Sequence, residues 1–155
     1  MFSRQRLNRF PIVAIVISAL ALGAGCNRAD TPTDRGILQV DDAWVRAPIP
    51  GQDKTAGYFT ASNTGSEDVA LTAARSDAAR AIEIHTILRD GDMVRMRRLD
   101  EVVIGAGETV RFEPGGRHLM LFGVSELETS VDIVLEQSDG TEIPVRFRVA
   151  AVGET

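Results

Sequence analysis

Two histidines and three of the four methionines fall within one stretch, in the order His85, Met93, Met96, His118, Met120. Imidazole suits copper and thioether sulfur is a soft ligand, so the pair of types points to a soft ion such as Cu(I). Asp90-Gly91 separates two β-like runs, a strong two-residue hairpin signal. With those residues as the turn, Leu88 faces Met93 and His85 faces Met96, their Cβ atoms about 4.5–5.5 Å apart. His118 and Met120 are two apart, so a strand projects them from one face. Leu119 and Leu121 then face the core, and His118 and Met120 face away from it. Met93 is an odd number of residues from Met96, which assigns it to the core face. Singly, a strand methionine is core filler and a histidine near a turn is a surface residue. Four such residues at these spacings shift the balance toward a site.

The elements that must position them are short strands. Candidate strands cover Leu38 to Arg46, Thr55 to Ser62, Asp68 to Ala74, Ile82 to Leu88 and Met93 to Leu99. Further ones cover Glu108 to Glu113, Arg117 to Phe122, Val131 to Glu136 and Ile143 to Val149. Turn signals separate them, notably Pro114-Gly115-Gly116 and Ser138-Asp139-Gly140. Ser76 to Arg80 is the one place for a helical turn. No segment has sustained helical periodicity, and short strands at this spacing predict an all-β sandwich or barrel of eight or nine strands. Trp44 and Tyr58 either flank the site or fill the core, and the core is the preferred assignment.

The N-terminus reads as an export signal over residues 1–25: Arg4, Arg6 and Arg9, then an apolar run from Pro11 to Leu22, then Gly23-Ala24-Gly25. The run is shorter than the ~20 residues of a membrane span. Cys26, the one cysteine, follows directly and cannot form an intrachain disulfide. Its placement is similar to that of a lipidated bacterial lipoprotein cysteine, although Gly23 stands where leucine is usual. Plain signal cleavage is the alternative. Residues 26–36 are polar and read as a tether, residues 37–150 as the folded domain, and 151–155 as a tail. The remaining length is enough for one core without disulfide support. The formal charge of −5 argues against non-specific nucleic-acid binding. There is no nucleophile–base pair, Walker-type loop or zinc-type cysteine cluster, so a binding protein is expected rather than an enzyme.

The motif is more specific than its parts. His85 is followed after ten residues by Met96, and after twenty-one more by His118-Leu119-Met120. This resembles the bacterial periplasmic copper chaperones of the PCuAC type, associated with assembly of the CuA centre of cytochrome c oxidase. Asp42 to Pro48, Thr55 to Thr60 and Glu113 to Leu121 are similar to family sequence. The resemblance spans most of Val40 to Val149. It implies a cupredoxin-like Greek-key β-sandwich that holds one Cu(I) near the surface through His85, Met96, His118 and Met120. It also implies a location in the periplasm or cell envelope and transfer to a copper-receiving protein, such as an oxidase CuA subunit or another chaperone. Many members have a methionine soon after the first histidine, where Thr86 and Ile87 stand here, and some have a His/Met-rich tail with no counterpart in this sequence.

A blue-copper centre needs a cysteine thiolate, and Cys26 is remote from the motif, so a redox protein is the weaker alternative. A copper-independent interaction lipoprotein is the other. Arg89, Arg95, Arg97, Arg98, Arg111 and Arg117 crowd the same region. They form either a rim that steers an acidic partner or, slightly preferred, a solvated strand face.

Overall fold

The computed structural model describes residues 36–124 and 127–151. The leader, Cys26, nearly all of the tether and residues 152–155 of the tail lie outside the described residues. Ten strands follow one another: β1 Leu38–Arg46, β2 Lys54–Asn63, β3 Val69–Arg75, β4 Ala81–Asp90, β5 Met93–Leu99, β6 Val102–Ile104, β7 Thr109–Phe112, β8 Arg117–Phe122, β9 Ser130–Gln137 and β10 Glu142–Ala150. The all-β cupredoxin-like expectation holds. The strand beyond the expected eight or nine is β6, three β-branched residues too short to stand out in sequence. Ser76 to Arg80 is a turn and not a helical one, closed by the Ala79 N–H on the Ser76 carbonyl at 3.4 Å.

The sheet order is β5-β4-β8-β7-β2-β1-β10-β9-β3-β6, with further pairing of β8 to β2 and β4 to β3. The β3–β4 contact, at Ala74↔Ile82, brings the sheet back on itself. Seven strands thus close a barrel, and β5 pairs with β4 outside that ring. Inside, Val45, Leu71, Ile104, Leu119, Leu121, Ile133, Leu135 and Phe147 are fully buried. Phe59 stacks on Phe112 at 4.1 Å and meets Phe147 edge-on at 5.8 Å. Burying a leucine side chain is worth about 1.5–3 kcal/mol, so Leu119 and Leu121 pin the facing of β8. Period-2 alternation then obliges His118 and Met120 to the outer face.

The β4–β5 hairpin forms with a different turn. Asp90 pairs with Met93, so Gly91-Asp92 is the two-residue loop, and Met96 faces Ile87 while His85 faces Arg98. Gly91 has φ +57° and Asp92 has not left the negative region, the sign pattern of a type II′ turn, which wants glycine first. Moving the turn by one residue moves each partner by two. Faces are therefore preserved and opposition is lost: Met96 is diagonal to His85.

Met93 is not core. It is 51% exposed, as are most residues of the hairpin's outer half. Its parity matches that of Leu99, which packs on the core, but the hairpin overshoots the barrel. Among the described residues nothing lies beneath its outer half to bury what points inward.

In β1 the register shifts between Asp41 and Trp44, and Asp42 sits at φ +52°. This is a bulge, and aspartate is among the few residues that tolerate the left-handed region. Leu38 and Val40 pack inward before it, Ala43 and Val45 after it. The extra residue reverses the alternation and turns Trp44 outward.

Candidate metal centre

The central feature is a pairing between strands far apart in sequence. On β4 and β8, His85 lies directly opposite His118, with ring centroids 5.9 Å apart. The sequence reading paired each histidine with a methionine. The structure pairs the histidines with each other and sets the methionines on the diagonals. Met120 faces Glu83, two residues along β4 from His85. Met96 faces Ile87, two residues along in the other direction. All four side chains belong to the outer face. Met96 and Met120 stand at opposite ends of the imidazole pair, separated by four residue steps, about 13 Å along the strand direction. Each diagonal lies within reach of a long side chain, and methionine has the rotatable bonds to use it.

Outward did not mean solvated. His118 is only 4% exposed, because the outer face is roofed. Tyr58 is 6.4 Å from the His118 ring, centroid to centroid, and Trp44 packs on Tyr58 at 4.5 Å. The Arg46 guanidinium lies over the Tyr58 ring, 5.9 Å from its centroid. Trp44, Tyr58, His118, His85 and Arg98 thus form one row across β1, β2, β8, β4 and β5. Tyr58 and Trp44 were assigned to the core. Trp44 flanks the site instead, because the bulge reverses the phase of β1; Tyr58 is buried, 6% exposed, but on the outer face, since Phe59 and Ala61 of its own strand point into the core.

Each imidazole is held by one nitrogen. His85 donates from Nε2 to the Glu83 carboxylate at 2.8 Å, and Arg98 donates to the other Glu83 oxygen at 3.3 Å. A neutral ring bound this way has a bare lone pair on Nδ1, and that atom is buried with no partner. His118 donates from Nδ1 to the Gly116 carbonyl at 3.1 Å. Its Nε2 has no hydrogen bond among the described residues. A carboxylate or carbonyl on one ring nitrogen and nothing on the other is the arrangement of metal-binding histidines, since the anchored N–H fixes tautomer and ring orientation. Glu83 and Gly116 were not picked out from sequence. A Glu-x-His alternation on a strand is the signal that would have found the first.

The electrostatics agree. Burial pushes the His118 imidazole below its usual range, the Gly116 hydrogen bond opposes this, and the neighbouring His85 adds to the lowering. The Glu83 carboxyl lies below the usual carboxylate range, first through the hydrogen bond from His85 and then through Arg98. The ring that must be neutral to ligate is the one disfavoured from taking a proton. Two neutral imidazoles with thioethers at either end can hold a soft monovalent cation. No cluster of three or more His, Cys, Asp or Glu suited to a harder ion occurs among the described residues.

A family model described as "Putative lipoprotein LpqE-like" matches residues 38–149. A putative lipoprotein of Leifsonia xyli subsp. xyli is 33% identical over 147 residues, 88% of this chain and 87% of that one. An uncharacterized protein of Rickettsia prowazekii is 36% identical over 83 residues, 51% of this chain and 46% of that one. Among solved structures, the copper-bound PCuAC domain from PmoF2 superposes with TM-score 0.64 at 21% identity, covering 75% of this chain and 94% of that domain. The solution structure of Cu(I)-bound DR1885 from Deinococcus radiodurans gives 0.60 at 26% identity, covering 77% and 80%.

Proposed function

The chain belongs to the LpqE-like family of putative lipoproteins, and from that premise we propose that it is an extracytoplasmic metallochaperone for Cu(I). The fold is that of PCuAC domains. The observation that carries the reading is the pair of anchored imidazoles, His85 and His118, each with one ring nitrogen fixed by a protein oxygen and the other left open. Those two nitrogens take one Cu(I), and Met96 and Met120 complete its shell. None of the four ligands adds charge, which favours the monovalent state. Met96 is 52% exposed, so its sulfur is the ligand an acceptor displaces first. The acceptor is a copper-receiving protein of the cell envelope, with the CuA subunit of a terminal oxidase as the leading candidate. Lipidation at Cys26 would tether the domain to the membrane. No step breaks a substrate bond, so the protein is a carrier and not an enzyme.

Anaerobic Cu(I) titration against a chelator tests this. The wild type is expected to take one equivalent. The Met96→Leu/Met120→Leu variant is expected to keep its fold and to weaken by about a hundredfold or more, which is about 2.7 kcal/mol. Unchanged retention by that variant would remove the thioethers from the shell, and no retention by the wild type would remove the function.

A further inference from the structure

We propose that the free edge of β5 is the docking strand of this protein, and that it takes an extended, acidic β-strand of a partner protein. The docking rests on the strand alone, and only the cargo exchanged there rests on the copper reading.

Among the described residues β5 is the last strand of the sheet and pairs only with β4. The alternation of the ladder fixes which backbone groups it leaves open. The Ile87 N–H turns toward β8 and bonds the Gly116 carbonyl at 3.2 Å. Residues of that parity on β4 therefore point away from β5, and their β5 partners, Val94, Met96 and Arg98, point their N–H and C=O groups outward. Among the described residues no backbone group meets them. A long exposed edge of this kind is a template for strand addition. The sheet's other end differs. β6 is three residues long, and the carbonyl of its Ile104 accepts from the Asn63 side chain at 3.0 Å.

The side chains select the occupant. On one face of β5 stand Met93, Arg95 and Arg97; on the other, Val94, Met96 and Arg98. Met93, Val94 and Met96 are each more than half exposed. The strand has three arginines and no acid, and neither Arg95 nor Arg97 makes an ion pair with a described residue. A second copy pairing through β5 would set these cations against each other, which is unfavourable for like charges directly opposed. A strand with carboxylates toward Arg95 and Arg97 and apolar or sulfur-bearing side chains toward Val94 and Met96 satisfies both faces. Main-chain hydrogen bonds would supply the affinity and the alternation would supply the specificity. Such a strand would lie against Met96, so the acceptor would arrive beside the ligand that is easiest to displace.

The test is amide hydrogen exchange by NMR on the metal-free protein, with a peptide of alternating glutamate and valine as probe. A lysine–valine peptide is the control. The expected result is slowing by about tenfold or more at the outward amides of Val94, Met96 and Arg98 with the acidic peptide only. Val94→Pro removes one outward N–H without breaking the β4 ladder, and Arg95→Glu/Arg97→Glu reverses the charge; each is expected to abolish the slowing and to leave the Cu(I) equivalents unchanged. Equal slowing by both peptides, protection elsewhere on the molecule, or slowing that appears without peptide as concentration rises would overturn the proposal, the last by making a second copy the occupant. A wild type that docks the peptide but takes no copper would sink the carrier reading and leave the docking strand standing.

Discussion

Two buried polar regions sit on opposite sides of this barrel's logic. Asn63 is 1% exposed, and its amide is spent in full: Nδ2 donates to the Glu67 carbonyl at 2.7 Å and the Ile104 carbonyl at 3.0 Å, and Oδ1 accepts the Gly65 N–H at 3.0 Å. His118 is 4% exposed and the His85 side chain 12%, yet the Nδ1 of His85 is buried with no partner. A buried polar atom left alone costs about 1–3 kcal/mol. The fold meets every demand at Asn63 and leaves one unmet at His85. The contrast sets a fully satisfied polar node beside one with an open nitrogen, without reference to residue type.

The strongest way to break the contrast is to remove each node in turn. Asn63→Ala strands two carbonyls and an N–H, and is expected to cost about 3 kcal/mol in denaturant unfolding, with Cu(I) stoichiometry intact in the folded fraction. His118→Leu replaces a half-satisfied ring by an apolar side chain, and is expected to change metal-free stability by no more than about 1 kcal/mol while abolishing Cu(I) retention. If the two variants destabilised alike, the distinction between the regions would fail. A sharper and smaller effect comes from Glu83→Gln. The amide still accepts from His85 but weakens the anchor, and Cu(I) affinity is expected to drop about 10- to 100-fold, read by chelator competition. An unchanged value would reduce Glu83 to a surface group.

The smallest effect is in pH. The folded state holds the His118 imidazole below its usual value of about 6.5. Between the two values the unfolded chain binds more protons, so stability is fully present above the unfolded value and is lost as pH falls through the folded one. The metal-free midpoint of unfolding is expected to decline from pH 7 toward pH 5, and His118→Leu is expected to flatten that part of the decline. Proton competition for copper at this ring should also set in at lower pH than for an ordinary imidazole.

Much of this was legible in the chain because alternation is a local rule. The outward facing of His118 and Met120 follows from Leu119 and Leu121, and the hairpin follows from Asp90-Gly91. The turn slipped by one residue because Gly91-Asp92 can serve as a glycine-first loop, and sequence alone does not rank the two. The His85–His118 pairing was beyond reach for another reason: β4 and β8 are neighbours in the sheet but far apart in sequence, and no local pattern sets their register. Trp44 was misassigned because one left-handed aspartate reverses the phase of β1, and its neighbours read as an ordinary strand; Tyr58 is buried, on the outer face that the alternation of Phe59 and Ala61 gives it. Met93 obeyed its parity and still lost its burial, since parity gives a direction and says nothing of what waits there.

The Gly116 carbonyl serves two masters. It accepts the Ile87 N–H at 3.2 Å and the His118 Nδ1–H at 3.1 Å. One oxygen therefore clips the root of the β4–β5 arm and also sets the angle of a buried ring. Any tug that lifts Ile87 off this oxygen changes what the ring is leaning on, so the pose of the imidazole is geared to the posture of the arm.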